Sequence, residues 1–365
     1  MTAARDFVHD QRFDQIFVLP ADPASGRTTP FTIQYADYGY RNQDLPGEEV
    51  VFLFYGPLVG SRLAHIAKDE LAKRHKIRII NPERPGMGGT DTVGEGDYMS
   101  LWRTAIAALL KHLEINHVAL GCHSGGTVFA LDMLLHHPEL LHPRRPGYIA
   151  IGAPWLLPSH TGSKMMSMAG FLPAGVVGQT DKLLKVMGHH VVPVIGLSSG
   201  IFSGILNTLS QTTPQTSNES TDDQSEDVKL EEELQPEIMK RVFAANMEGV
   251  STDAILLLQK GNYSQSGWGD WGDYDKLVPR LEQALVDAGR RLRVDIFYAE
   301  KDALIGDGGS KGPLWFDQCW KEAQEGVIDH DSTTIMGADH DDIWDLKWDA
   351  AGTAFGKMSQ FANEP

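Results

Sequence analysis

The chain has 365 residues, 42% of them hydrophobic and 22% charged, enough apolar material for one large domain or two ordinary ones. Its formal net charge of −17 argues against nucleic acid as a partner and against anionic membrane by default, although much of the acidity is gathered in one segment. Two cysteines, Cys122 and Cys319, make no disulfide framework and read as free thiols in a reducing compartment; with the polar stretch Met1 to Gln15 lacking an apolar signal core, they point to a cytoplasmic protein.

Ile16 to Leu19 and Phe31 to Tyr38 read as short strands separated by a turn region rich in Pro, Gly, Ser and Thr. Val50 to Tyr55 is a continuous apolar run, suited to a strand covered on both faces, and it leaves into Gly56-Pro57-Leu58-Val59-Gly60-Ser61-Arg62. Leu63 to His75 has helical periodicity, and Ile77 to Ile80 is another buried strand followed by the loop Asn81 to Asp91. Tyr98 to Ile115 reads as a long helix. His117 to Cys122 is a strand that runs into Ser124, and Gly125 to His137 is the helix leaving it. Small residues around Ser124 allow a sharp strand-to-helix reversal with the hydroxyl exposed at its tip. Tyr148 to Ile151 is the next strand.

From Pro154 to about Gly272 no strand is legible. Val186 to Asn218 carries no charged residue, and Val191 to Leu206 is apolar but too short and too broken by Pro193, Gly196, Gly200 and Gly204 for a membrane span. Residues 155–272 are expected to form a helical cap, with a peripheral membrane contact through its apolar side left open. Within it, residues 211–235 are acidic and of low complexity and are expected to form a disordered loop. Pro236 to Gln259 returns to helix. Tyr274 to Ala288 is helical, Leu292 to Tyr298 a strand, Gly312 to Gly326 helical, Ser332 to Met336 a last strand, and Asp342 to Phe361 a closing helix.

Strands alternating with helices imply an α/β fold: a mostly parallel, doubly wound sheet formed by residues 1–154 and 273–365, interrupted by the cap. In such sheets chemistry gathers where the strands end at their carboxyl edge. A serine (Ser124), an aspartate (Asp302) and a histidine (His340) each follow a strand and can meet there. A serine hydroxyl needs a base to take its proton as it attacks. Histidine titrates near neutrality, and a carboxylate on its second nitrogen fixes the tautomer and stabilises the imidazolium. Asp307 is the alternative carboxylate, further along a glycine-rich loop.

These residues resemble the α/β-hydrolase superfamily, in particular its capped esterase and aminopeptidase-like members, over roughly Glu49 to Pro154 and Leu292 to Phe361. Cys122-His123-Ser124-Gly125-Gly126 is similar to the Gly-x-Ser-x-Gly elbow, with the glycine one position early at Gly121. Asn81 to Asp91 is similar to the family's Asp-x-Pro-Gly-x-Gly-x-Ser-Asp loop, and Tyr55 to Arg62 resembles its oxyanion loop. Ala299 to Asp302 and Gly337 to His340 resemble its last two strand exits. The resemblance implies Ser124 as nucleophile, His340 as base and Asp302 as orienting acid. It also implies oxyanion donors at the backbone N–H of Gly125 and in the loop after the third strand. There Pro57, which has no N–H, occupies the usual donor position, so Leu58 is assigned instead. Tyr55, in place of the loop histidine, and His123 are the candidate substrate-binding residues, although His123 is expected to point away from His340.

No cofactor is expected. Asp339-His340-Asp341-Asp342 lacks a second histidine at ligand spacing, so a helix start there is a simpler account than a metal. Asp270, Asp273 and Asp275 are read in the same way. The expected activity is serine-dependent cleavage of an ester, thioester or amide in a fairly apolar small molecule. The alternative is a hydrolase-fold protein with non-hydrolytic or carbon–carbon bond-cleaving chemistry, for which Pro57 is the motive.

Overall fold

The computed structural model describes residues 2–42, 49–182, 184, 225–260, 272–306 and 309–362. Eight strands form one sheet: β1 Gln15–Leu19, β2 Phe31–Gly39, β3 Val50–Tyr55, β4 Ile77–Pro82, β5 Ala119–Ser124, β6 Gly147–Pro154, β7 Leu292–Ala299 and β8 Ile328–Ile335. Their order across the sheet is β1-β2-β4-β3-β5-β6-β7-β8. The pairings β1 with β2 and β2 with β4 are antiparallel, and every pairing from β4 to β8 is parallel. This is the mostly parallel α/β sheet that the alternation predicts. Strands β3 to β6 are buried at nearly every position, because helices cover both faces and leave no side for water.

Edge strand β8 begins at Ile328, well before the expected Ser332. Its residues after Ile328 are mostly exposed or half-exposed, so Asp329, His330 and Asp331 are tolerated in a strand where they read as loop.

The described helices are α1 Thr2–Val8, α2 Asp69–Arg74, α3 Tyr98–His112, α4 Gly126–His136, α5 Lys164–Ala169, α6 Ala174–Val177, α7 Glu226–Ala244, α8 Glu248–Leu257, α9 Tyr274–Ala288, α10 Pro313–Lys321 and α11 Ala350–Ala362. Helix α9 lies where its periodicity places it, burying Tyr274, Leu277, Val278, Leu281 and Leu285 and ending on Gly289 at φ 63°.

Between β6 and β7 the described residues form helices and connections. The acidic segment 211–235 is not disordered throughout: Ser225 accepts a hydrogen bond from Val228 N–H and opens α7. Glu226 and Asp227 sit in the first turn, where the helix dipole favours them, and Val228, Leu234, Ile238 and Val242 are buried. A sparse apolar stripe is thus sufficient once ion pairs anchor the polar face. Glu231 meets Lys68 at 2.8 Å, Arg241 meets Asp14 at 2.9 Å, and Asp227 pairs with Arg74. Pro236, read as a helix start, lies inside α7. The rest of that segment, the apolar run Val191 to Leu206, and Asp270 lie outside the described residues. Among the described residues no helix is long and apolar enough to cross a membrane.

The closing helix also starts late, at Ala350 instead of Asp342. Asp339 Oδ1 accepts from the N–H groups of Asp341 and Asp342 while Asp342 Oδ1 accepts from Asp339 N–H at 2.7 Å. These carboxylates close a turn on themselves and so satisfy the amides that a helix start would have used.

Candidate active site

Strand β5 reaches the carboxyl edge of the sheet and reverses at Ser124, which adopts φ 49°, a left-handed conformation rare for a residue with a side chain. Three close approaches explain the local sequence. A Cβ on Gly121 would collide with the Phe52 ring, so the strand needs glycine there. At the next position Cys122 fits, with its sulfur 3.8 Å from both Thr127 Oγ1 and the Ala150 carbonyl. Burial pushes its thiol up to about 12, against the smaller opposing effect of the Thr127 hydroxyl. A Cβ on Gly126 would strike the Tyr55 carbonyl and stand 2.7 Å from that of Gly56, so glycine lets the loop after β3 lie against the start of α4.

The three strand exits meet. The Ser124 hydroxyl is 2.8 Å from His340 Nε2, and His340 Nδ1 is 2.7 Å from Asp302 Oδ2. The other Asp302 oxygen accepts from Leu304 N–H and Ile305 N–H, each at 2.8 Å. An ionised carboxylate only accepts, so Nδ1 carries the proton and Nε2 presents its lone pair to the serine hydroxyl. Burial alone would push the His340 imidazole down; Asp302, helped by Asp341 and Asp339, outweighs it and holds the group above the ordinary histidine value. Lys301 N–H bonds to the Ala338 carbonyl at 2.9 Å and ties the two exits together. Asp307 lies outside the described residues.

Two aromatic side chains hold the histidine turn in place. Trp344 packs edge-on against Phe54 and Phe297 and donates its Nε1–H to the Cys122 carbonyl at 3.2 Å. His123 does not point away from His340. Its Nε2 is 2.6 Å from the His340 backbone carbonyl and the two rings lie 5.7 Å apart, because the bend at Ser124 turns the preceding side chain toward β8's exit. Burial, then the neighbouring His340, pushes His123 down, so it is neutral and donates Nε2–H to that carbonyl. Tyr55, expected beside the substrate, is also placed otherwise. Phe54 faces His65 and Trp344, so period-two alternation turns Tyr55 to the other face, near Asp132 of α4 and Cys122, where it is buried.

Gly125 follows Ser124 and Leu58 lies in the loop packed against α4; among the described residues neither backbone N–H has a hydrogen-bond partner. A side chain that the sequence reading gave no role organises this loop. Arg84, buried, donates to the carbonyls of Gly56 (2.6 Å), Pro57 and Leu58 (3.3 Å). Its Nε is 2.5 Å from Asp253 of α8, which also accepts from Tyr98 Oη. The only sequence signal for Asp253 is a carboxylate set in an apolar helix. From the same helix, Leu257 covers Gly125, to which an added Cβ would stand 2.7 Å from its Cδ1, and its carbonyl accepts from Trp155 Nε1 at 3.1 Å. Ser124 is 1% exposed beneath these groups. A cleft of about 840 Å³ lies at the opposite, amino-terminal edge of the sheet, among Val50, His117, Val118 and Gly147, away from this chemistry. Among the described residues no cluster of metal-ligating side chains is present.

Neither a protein-family model nor a curated protein sequence matches the chain. Solved structures do. A carboxylesterase structure from Nitrososphaera gargenis is 15% identical with a TM-score of 0.55, the match covering 94% of this chain and 98% of that one. A thermophilic esterase from Thermogutta terrifontis is 14% identical with a TM-score of 0.57, covering 96% and 100%. An enol-lactonase from Burkholderia xenovorans is 10% identical with a TM-score of 0.52, covering 92% and 97%. The chain has the α/β-hydrolase fold.

Proposed function

We propose that this protein is a serine hydrolase that cleaves an ester, thioester or amide bond of a fairly apolar small molecule through an acyl-enzyme. The observation that carries the reading is the unbroken chain from Ser124 Oγ through His340 to Asp302, at 2.8 and 2.7 Å, on the carboxyl edge of the sheet. Ser124 Oγ attacks the carbonyl carbon as its proton passes to His340 Nε2, and Asp302 stabilises the imidazolium formed. The carbonyl oxygen becomes an oxyanion held by the N–H groups of Gly125 and Leu58. The tetrahedral intermediate collapses, His340 Nε2–H protonates the leaving group, and water, activated by the same nitrogen, then releases the acid. Esterases and a lactonase among the structural neighbours support this class of bond. Leu257, buried over Gly125 next to the buried serine, supports an apolar substrate. Helices between β6 and β7, including α8 over Gly125, would serve as its cap.

The test is labelling by a fluorophosphonate together with turnover of a short-chain aryl ester. Wild type should do both and Ser124→Ala neither; unchanged labelling of the variant sinks the assignment. Pro57 favours a second reading, non-hydrolytic or carbon–carbon bond-cleaving chemistry, because it deprives the loop of one N–H. That reading predicts a folded protein with no acyl-enzyme on any ester of a broad panel.

A further inference from the structure

The loop after β3 has a proline where a donor is expected, and its geometry is set by a residue outside it. All peptide bonds among the described residues are trans. In a trans peptide unit the C=O and the following N–H point in opposite directions. Arg84 holds the Pro57 carbonyl, so the Leu58 N–H of the same peptide unit points away from the guanidinium; the Gly60 N–H, 2.7 Å from the Pro57 oxygen, reinforces that orientation. Arg84 also holds the Gly56 carbonyl at 2.6 Å, whose partner nitrogen is the proline and carries no hydrogen. The guanidinium therefore faces the carbonyl side of the loop and leaves Leu58 N–H as the donor on its other side. That loop is packed against the start of α4 at Gly126, beside Gly125.

A planar fork with five donors can span several carbonyls and a carboxylate at once, which an ammonium cannot. It is itself held from α8: the Asp253 carboxylate is fully buried, takes the guanidinium on one oxygen and the Tyr98 hydroxyl on the other, and the Arg84 guanidinium lies 5.0 Å over the Phe129 ring. The helix that carries Asp253 also carries Leu257, which covers Gly125.

We propose that Arg84 is a positioning residue that turns the Leu58 N–H into the oxyanion site and compensates for Pro57, and that Asp253 makes this orientation depend on the seating of α8 over the nucleophile. This rests on the hydrolase reading above. The coupling gives a buried arginine, costly to desolvate, a role that a shorter apolar side chain could not fill.

The experiment compares para-nitrophenyl acetate with its thionoester analogue for wild type, Arg84→Lys and Asp253→Asn, with melting temperatures and fluorophosphonate labelling recorded alongside. An oxyanion site shaped for oxygen favours the oxoester, and a displaced donor erodes that preference. Arg84→Lys should lower kcat for the oxoester roughly tenfold to a hundredfold, leave KM and the pH midpoint of the His340 limb nearly unchanged, and lower the oxo-over-thiono ratio. Asp253→Asn should lower the same ratio although it touches neither donor. If Arg84→Lys does not fold, Asp253→Asn carries the test, since it keeps shape and one hydrogen bond. A wild type that neither hydrolyses the oxoester nor takes the fluorophosphonate overturns the hydrolase reading and this one with it. A wild type that does both, beside folded variants that keep the wild-type kcat and oxo-over-thiono ratio, overturns only this one.

Discussion

Asp302→Asn is isosteric, yet the surroundings of the side chain dictate how it must fail. Oδ1 of the native carboxylate receives two backbone N–H groups, from Leu304 and Ile305 at 2.8 Å, and Oδ2 receives His340 Nδ1–H at 2.7 Å. An asparagine has one acceptor oxygen and one donor NH2. Turning the oxygen toward Leu304 and Ile305 satisfies two donors, whereas turning the NH2 there would leave three donors facing one another. The oxygen therefore takes that side and the NH2 faces His340 Nδ1. The imidazole must then accept at Nδ1 and carry its proton on Nε2, which leaves no lone pair for the Ser124 proton. A wrong tautomer of this kind has cost about ten-thousandfold in kcat in a serine protease, or about 5 kcal/mol of transition-state stabilisation. The fold should be nearly unaffected. Steady-state hydrolysis of an aryl ester across pH is the assay. In the proposed mechanism wild-type activity requires neutral His340, so the acid limb should rise through a midpoint above the ordinary histidine value, because Asp302 and the nearby Asp341 and Asp339 outweigh burial. In Asp302→Asn that limb should move to lower pH while the plateau collapses. A variant that keeps more than a tenth of the wild-type plateau, or an acid limb that does not move, refutes the argument.

Gly126→Ala places a methyl group against the carbonyls of Tyr55 and Gly56, the latter at 2.7 Å, and backbone cannot yield as a side chain would. It should cost about 1–3 kcal/mol in denaturant melts and, by displacing the Gly56 loop, lower kcat by more than its loss of folded protein accounts for. His123→Leu removes the 2.6 Å bond to the His340 carbonyl and leaves that acceptor unpaired; a loss of about 1–3 kcal/mol in melts together with a lower kcat at unchanged KM is expected. Cys122 and Cys319 are both buried and their thiols are pushed up to about 12, so neither should react with a thiol reagent at pH 8 in the folded protein and both should react in denaturant.

The elements that sequence places well are those whose burial leaves a period. The run Val50 to Tyr55 and the stripe Leu277, Leu281, Leu285 are local records of a global fact, namely which face meets the core. Where that record is diluted, expectation drifts. Strand β8 carries Asp, His and Ser because its side chains face water at the sheet edge. Helix α7 hides its four buried positions among acidic residues, of which Glu231 is held by Lys68 and Asp227 by Arg74, while further along its own Arg241 anchors on Asp14. The turn at Asp339 looks like a helix start because helix caps and self-closing turns use the same short carboxylates.

The site divides along the same line. Ser124, Asp302 and His340 were legible because a parallel sheet brings every strand exit to one edge, so position along the chain converts into proximity. No such rule converts Arg84 and Asp253 into neighbours. One sits in a loop after β4, the other on a helix between β6 and β7, and only the packing of α8 brings the guanidinium and carboxylate to 2.5 Å. The same holds for His123, whose local environment suggests a free side chain while the turn at Ser124, φ 49°, delivers it to the back of His340. Chemistry that the fold topology gathers can be read from spacing. The groups that orient it, reached through backbone carbonyls and buried ion pairs, depend on packing that spacing does not encode. Substitutions at Arg84 and His123 should therefore alter rate through the geometry of Leu58 N–H and His340 without removing any of the three side chains proposed to react.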